Sequence, residues 1–394
     1  MAHIAIAGAR VITPLEEISG AVILIEDGRI TQVGRREELQ LPAGVKEIDA
    51  RGRTIVPGFV DVHIHGAGGH DVMEGTPSAL ETVARTVARF GTTTLVATTV
   101  TAPTDQTCRS LEGIANYIRS PLNSLNGGAQ TSPRAEIAGI HFEGPFISHA
   151  RRGVHPPDSI ANPSIPVLNR FLEAAGGYAR ILTLAPELAG ALEMVERARA
   201  AGVIVALGHT DATYDLACAA IDRGANHAVH VFNAMRPFSH RETGILGAVL
   251  TDPRVTTEVI ADGVHVDDAA IRLLLAAKGI ERVVLVSDGI SATGMPDGTY
   301  RLGTFDVVVS GGVCRNIEGR LAGSTLTLDR AIRHVVSLGV SLAEAVRMAT
   351  EVPAMRLGVA GKKGVIAPGA DADLVILTPD LQIERVMTRG VMIT

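Results

Sequence analysis

The sequence predicts an α/β protein: a (β/α)8 TIM-type barrel carrying a small β-sandwich made from the two ends of the chain. Three observations predict it. Eight short apolar runs alternate with helical stretches through the middle of the 394 residues. The first 55 and the last 35 or so residues read instead as strands and tight turns. Histidines or acids stand at the ends of most of the apolar runs, which is where barrels of this kind build their active sites.

Residues 3–7, 21–26 and 29–33 are short strands, and Asp27-Gly28 between the last two is a hairpin signal. The other end repeats the style. Pro368-Gly369-Ala370-Asp371-Ala372-Asp373 is a turn, followed by strands at 374–377, 383–388 and 391–393. Neither end holds enough sequence for its own core, so residues 1–55 and 360–394 are expected to form one small domain around residues 56–359. Within the latter, barrel strands are expected at 59–62, 93–97, 136–140, 180–184, 203–206, 227–229, 256–260 and 282–286. Helical stretches such as 78–90, 189–200, 215–223 and 267–278 separate them. A doubly wound open sheet is the alternative, and it lacks a Gly-x-Gly-x-x-Gly after the first strand. An extra patch of strands is expected from residue 300 to about 317, then closing helices at 324–338 and 341–350.

Composition narrows the function classes. A content of 46% hydrophobic and 20% charged residues suits a well-packed α/β enzyme. Trp is absent and aromatics are 3%, so Ala, Val, Leu and Ile must fill the core. A net charge of −6 without a basic stripe argues against nucleic acid as a partner. Cys108, Cys218 and Cys314 are odd in number and scattered, which gives neither a disulfide framework nor a Cys-x-x-Cys metal site. Met1-Ala2-His3-Ile4-Ala5 shows no signal-peptide pattern, and no apolar run is long enough to span a bilayer. A cytoplasmic protein with no membrane partner is expected.

The first barrel run, Val56-Pro57-Gly58-Phe59-Val60-Asp61-Val62-His63-Ile64-His65-Gly66, organises the rest. His63 and His65 are two apart, so in extended backbone both imidazoles project to one face. Other strand ends bring Glu143, His209, His230 and Asp288. Alone, any one of these has an ordinary reading, as a core histidine or a helix cap. Together they make a donor set for one or two divalent metals of borderline character, Zn²⁺ or Fe²⁺. Such an ion acidifies water and polarises a carbonyl, as amide hydrolysis requires. Asp288 is then placed to take a proton from water and pass it to a leaving amine.

These motifs carry a resemblance that runs nearly end to end. The chain resembles the N-acetylglucosamine-6-phosphate deacetylases of the amidohydrolase superfamily. Pro57-Gly58-Phe59-Val60-Asp61 and the Pro368–Asp373 turn are superfamily-wide. Narrower signals are His141-Phe142-Glu143-Gly144-Pro145-Phe146, Arg152-Gly153-Val154-His155, Gly208-His209-Thr210, His230-Val231-Phe232-Asn233-Ala234-Met235 and Leu285-Val286-Ser287-Asp288. Glu143 after the third strand replaces the carboxylated lysine after the fourth that many superfamily members use, which argues against dihydroorotase- or hydantoinase-like relatives.

The resemblance implies that Glu143, His209 and His230 bind the metal common to the family. It implies that His63 and His65, present here but not in every member, complete a second site bridged by Glu143. By the same resemblance His155 donates to the carbonyl oxygen, with Val154 beside it. Arg241 and His265, with the backbone N–H groups of Asn233 and Ala234, are the candidates for a 6-phosphate, and Leu321-Ala322-Gly323 for a further substrate loop. The corresponding arginine of the family can come from a neighbouring subunit, so a homodimer is expected. The expected activity is removal of acetate from N-acetyl-D-glucosamine 6-phosphate; the alternatives are its galacto epimer or another phosphorylated N-acyl sugar. A scaffold without catalysis is the contrasting class, and it would be expected to have lost ligands that are all present here.

Overall fold

The computed structural model describes residues 3–123 and 133–393. Eight strands form the barrel: Phe59–Ile64, Thr92–Thr99, Glu136–Glu143, Ala179–Leu184, Ile204–Leu207, His227–Ala228, Thr256–Val259 and Val283–Leu285. They pair in sequence order and every pair is parallel. The ring closes between the first and eighth strands through a parallel bridge at Ile64 and Gly289. The Asp288 N–H donates to His63 O at 2.9 Å and the His65 N–H to Gly289 O at 2.8 Å across that seam.

The strands stay inside because both of their faces are apolar or β-branched. All eight residues of Thr92–Thr99 are buried, as expected for a strand covered on both sides. The helix Pro77–Ala88 shows how the outer layer is specified. Thr76 caps it by accepting from the Ala79 N–H, and Pro77 opens it. Leu80, Val83, Ala84 and Val87 recur at helical spacing and are buried against the barrel. Each large side chain among them is worth ~1.5–3 kcal/mol of burial. Helices at Thr104–Arg119, Ile165–Ala174 and Gly244–Thr251 complete βα units between the expected ones. The last of these is buried along seven of its eight residues, so it has no polar face to betray a helical period.

The ends of the chain share one sheet. Thr54–Pro57 runs antiparallel to Leu374–Leu377, which joins His3–Ile12 and its hairpin partners to the C-terminal strands. Ile6, Ile23, Ile25, Ile55, Leu374 and Ile376 meet in its core. Between the eighth strand and the closing helices, Gly298–Leu302, Phe305–Ser310 and Val313–Arg315 form a three-stranded antiparallel sheet. The Gly303 N–H donates to Asp71 Oδ2 at 2.7 Å and fastens that sheet over the barrel mouth.

Terminal sheet and barrel are joined by a buried ionic knot. Lys363, 3% exposed, places its Nζ 2.8 Å from Asp373, 2.9 Å from Asp371 and 3.0 Å from Glu136 at the foot of the third strand. Arg389 pairs with the same Glu136. Burial alone would lower the Lys363 ammonium, but Asp373 and Glu136 hold it above the ordinary lysine range.

Candidate metal centre

The strands deliver their histidines and acids to one end of the barrel. Glu143 is the last residue of the third strand and His63 the penultimate residue of the first; His65 follows that strand directly, and His209, His230 and Asp288 stand two or three residues beyond the ends of theirs. His209, His230 and Asp288 take positive φ values of 47°, 28° and 48°, as do Phe232 at 80° and Ala234 at 51°. These make up five of the eight non-glycine residues so placed among those described. Left-handed backbone at such residues is strained and concentrates at functional sites; here it turns side chains back over the mouth instead of letting them run outward.

Glu143 is the hub. Its Oε1 lies 2.9 Å from His230 Nε2, 3.2 Å from His209 Nε2 and 3.3 Å from His63 Nε2. Its Oε2 lies 3.3 Å from His65 Nε2 and 3.4 Å from His155 Nε2. Asp288 Oδ1 is 3.2 Å from His65 Nε2 and 3.6 Å from His63 Nε2. Donors held ~2.0–2.2 Å from one tetrahedral ion stand roughly 3.3–3.6 Å from each other, so these spacings are close to the edges of a coordination shell. Three overlapping clusters have the spacing to hold an ion: His63, His65 and Asp288; His63, Glu143 and His230; Glu143, His155 and His209. His63 Nε2 is fully buried without a hydrogen bond, an orphan that a cation would satisfy.

The far side of each ring decides what its near side can do. His63 Nδ1 is 2.8 Å from Glu258 Oε2, His65 Nδ1 is 3.0 Å from the carbonyl of Thr98, and His209 Nδ1 is 3.0 Å from the carbonyl of Arg151. Those partners are acceptors, so each Nδ1 carries the proton and each Nε2 presents a lone pair to the centre. His155 is wired the other way. Its Nδ1 accepts from the Thr101 N–H at 3.2 Å, with the Thr101 hydroxyl at 2.8 Å. The proton therefore sits on His155 Nε2, and that edge is a donor, not a ligand.

Charge agrees with this layout. Burial would raise the Glu143 carboxyl, but His63 and the hydrogen bonds of His155, His209 and His230 hold it well below the carboxylate range. Burial, with the His155 ring beside it, brings His209 down to about 4, which keeps it neutral as a ligand must be. His63 is pushed well up despite its burial, because Glu258 and Glu143 flank it, so a cation binding there would displace the proton from Nε2. The same negative field draws in a divalent cation.

The donors open on a cavity of ≈170 Å³. His65, Glu143, His209, His230 and Asp288 form its floor. Val154, His155, Asn233 and Ala234 make one wall, with His265, Leu321 and Gly323 around the rim. His265 Nδ1 is tied to Asp262 Oδ2 at 2.7 Å, and that partner outweighs burial to lift the imidazole above its ordinary range. Ala322 is fully buried behind the rim in the core of the three-stranded sheet. Arg241 is brought to a different place: it lies exposed on the loop before Gly244–Thr251 and does not line the cavity.

Several contributors escape a motif-based reading. Glu258, 0% exposed, stands in mid-strand behind the histidines, and Asp61 accepts from the His63 and Ser287 N–H groups. Burial lifts Asp61 to about 6. The available signal was an acid inside an otherwise buried run, as in Val60-Asp61-Val62. His141 and His227, which flank site residues, hydrogen-bond locally, to Thr183 at 2.7 Å and Glu258 at 2.9 Å. Thr101 could not have been tied to His155 from spacing alone.

Known proteins match this arrangement along the whole chain. An N-acetylgalactosamine-6-phosphate deacetylase of Escherichia coli O157:H7 is 39% identical over 351 residues, 89% of this chain and 90% of that protein. An N-acetylglucosamine-6-phosphate deacetylase of Bacillus subtilis is 35% identical over 382 residues, 96% and 94% of the two chains. The structure of a mutant N-acetyl-D-glucosamine-6-phosphate deacetylase from Mycobacterium smegmatis, in complex with N-acetyl-D-glucosamine-6-phosphate, superposes with a TM-score of 0.91 at 38% identity, covering 100% of this chain and 99% of that one. The amidohydrolase family model matches residues 54–393. With the barrel, the clustered metal donors and these relatives in agreement, the chain belongs to the metal-dependent amidohydrolase family.

Proposed function

We propose that the protein hydrolyses the acetamide of N-acetyl-D-glucosamine 6-phosphate, giving glucosamine 6-phosphate and acetate. The observation that supports this most is the opposed wiring of His155 and of His63, His65 and His209 around one carboxylate, which puts a hydrogen-bond donor beside a candidate metal cage. A divalent ion held there supplies acidified water and a polarised acyl carbonyl. Glu143, His209 and His230 would hold one Zn²⁺ or Fe²⁺, and His63, His65 and Asp288, with Glu143 between the two sets, would hold a second.

The chain's own groups carry the remaining steps. His155 Nε2–H donates to the carbonyl oxygen as it gains negative charge. Asp288 accepts a proton from the attacking water and returns it to the departing nitrogen. His265 and the Asn233 and Ala234 N–H groups bind phosphate, with the Leu321–Gly323 loop against the sugar. Arg241, exposed outside its own cavity, fits a phosphate clamp reaching into a second subunit of a cytoplasmic homodimer. We divide the chain into residues 1–55 with 360–394 and residues 56–359, the handover falling in Thr54–Pro57. No helix among the described residues is long and apolar enough to cross a membrane.

The test is acetate release from N-acetylhexosamines with and without 6-phosphate, after loading with Zn²⁺ or Fe²⁺. The expected result is turnover of the phosphorylated gluco sugar far above its unphosphorylated form. The E. coli O157:H7 relative gives one reason to run the galacto epimer beside it; faster turnover there transfers the assignment to that sugar. No acetate from any of them overturns the reading.

A further inference from the structure

One buried acid reaches further than the single ring contact described above. Glu258 sits in the middle of the seventh barrel strand, Thr256–Val259, and is completely buried. Its carboxylate touches three histidines. Oε2 is 2.8 Å from His63 Nδ1 and accepts from the His230 main-chain N–H at 3.2 Å. Oε1 is 2.9 Å from His227 Nε2. His63 belongs to one proposed metal position and His230 to the other, so a single side chain braces both halves of the cage from behind.

The two braces differ in kind. At His230 the contact is to backbone, and the ring is held separately by its approach to Glu143 and His209. At His63 the contact is to the ring itself and is the sole hydrogen bond that the imidazole makes, since its Nε2 has none. The tautomer of His63, and the direction of its free lone pair, therefore depend on Glu258. His65 and His209 rely instead on main-chain carbonyls, which no side-chain substitution removes.

We propose that Glu258 is a positioning residue that fixes His63 as an Nε2 ligand and so selects occupancy of the metal position made by His63, His65 and Asp288, with His227 clamping its far oxygen. The inference rests on the metal-centre reading above. Partners behind a ligating histidine are worth about 10- to 100-fold in metal affinity.

The experiment is titration of metal-stripped wild-type protein and Glu258→Gln with Zn²⁺, read by calorimetry and by metal content after gel filtration, without substrate. Wild type is expected to take up two ions. Glu258→Gln is expected to bind the ion on Glu143, His209 and His230 with little change, and the other about 10- to 100-fold more weakly. A merely structural role would lower the melting temperature of the metal-free protein or weaken both ions alike. Should Glu258→Gln not fold, His227→Gln leaves the carboxylate in place with a slackened far oxygen, and a smaller loss confined to the same ion is expected. Two ions bound as in wild type by a folded variant overturn the inference alone, as does a wild type that never takes a second ion. A wild type that takes up no metal overturns the reading beneath it.

Discussion

Two regions of this molecule bury several carboxylates together, and they neutralise them in opposite ways. At the junction of barrel and terminal sheet, Asp371, Asp373 and Glu136 surround an ammonium that is part of the chain, Lys363. At the barrel mouth, Glu143 and Asp288 are surrounded by imidazoles, several of which turn a lone pair inward. The first cluster carries its cation; the second is shaped to take one from solution. Burial and clustering of acids alone therefore do not mark a functional site. What separates them is a cation built into the chain: Lys363 Nζ lies 2.9 Å from Asp371 Oδ2 at the junction, while at the mouth the buried His63 Nε2 has no hydrogen bond.

Asp288→Asn tests the mouth most severely. Asparagine keeps the shape and tolerates the positive φ of 48°, but it cannot take the proton. kcat should fall ~10²–10⁴-fold while the ion on Glu143, His209 and His230 is retained. A folded, metal-loaded variant with near-normal kcat would remove Asp288 from the chemistry and leave it a purely structural acid like those around Lys363.

Lys363→Met tests the junction. Deleting one partner of a buried ion cluster costs about 3–5 kcal/mol, here by leaving Asp371 and Asp373 without their ammonium. Urea denaturation should show that loss, whereas kcat of the folded fraction and its metal content should hardly move. A variant of normal stability with impaired metal binding would erase the distinction between the two regions.

Arg241→Ala sharpens the contrast at its margin. A charged hydrogen bond is worth about 1.5–3 kcal/mol, so kcat/KM for the phosphorylated sugar should drop roughly 10- to 100-fold while the unphosphorylated sugar is spared. Equal losses on both would make Arg241 structural. If it acts across a dimer, mixing Arg241→Ala with Asp288→Asn should recover part of the activity in hybrid dimers.

How far the sequence reaches is clearest residue by residue. The barrel was legible because its strands are almost wholly buried, so most are compact apolar runs, several of them closing on or just before a titratable residue such as His63, Glu143 or His209. The helix Thr104–Arg119 was harder to see because its sequence is largely polar and buries Thr107 and Ser110 on its inner face. The ligands were legible as types at strand ends. Their protonation was not, because it is set by Thr98, Arg151 and Thr101, which lie far off in sequence and meet the rings only after the loops cross. Glu258 was hidden for a related reason: Thr256-Thr257-Glu258-Val259 reads as a half-polar strand until the histidines behind it are known.

The seam of the barrel has a kinetic consequence. First and eighth strands meet at a single bridge, flanked by the hydrogen bonds of Asp288 and His65. Those same two residues stand on opposite banks with their side chains 3.2 Å apart. A thinly laddered edge is where a ring opens first, and opening here parts the donors. An ion held by both banks would rivet the seam, so its escape rate and the amide exchange of Asp288 and His65 would report one breathing motion.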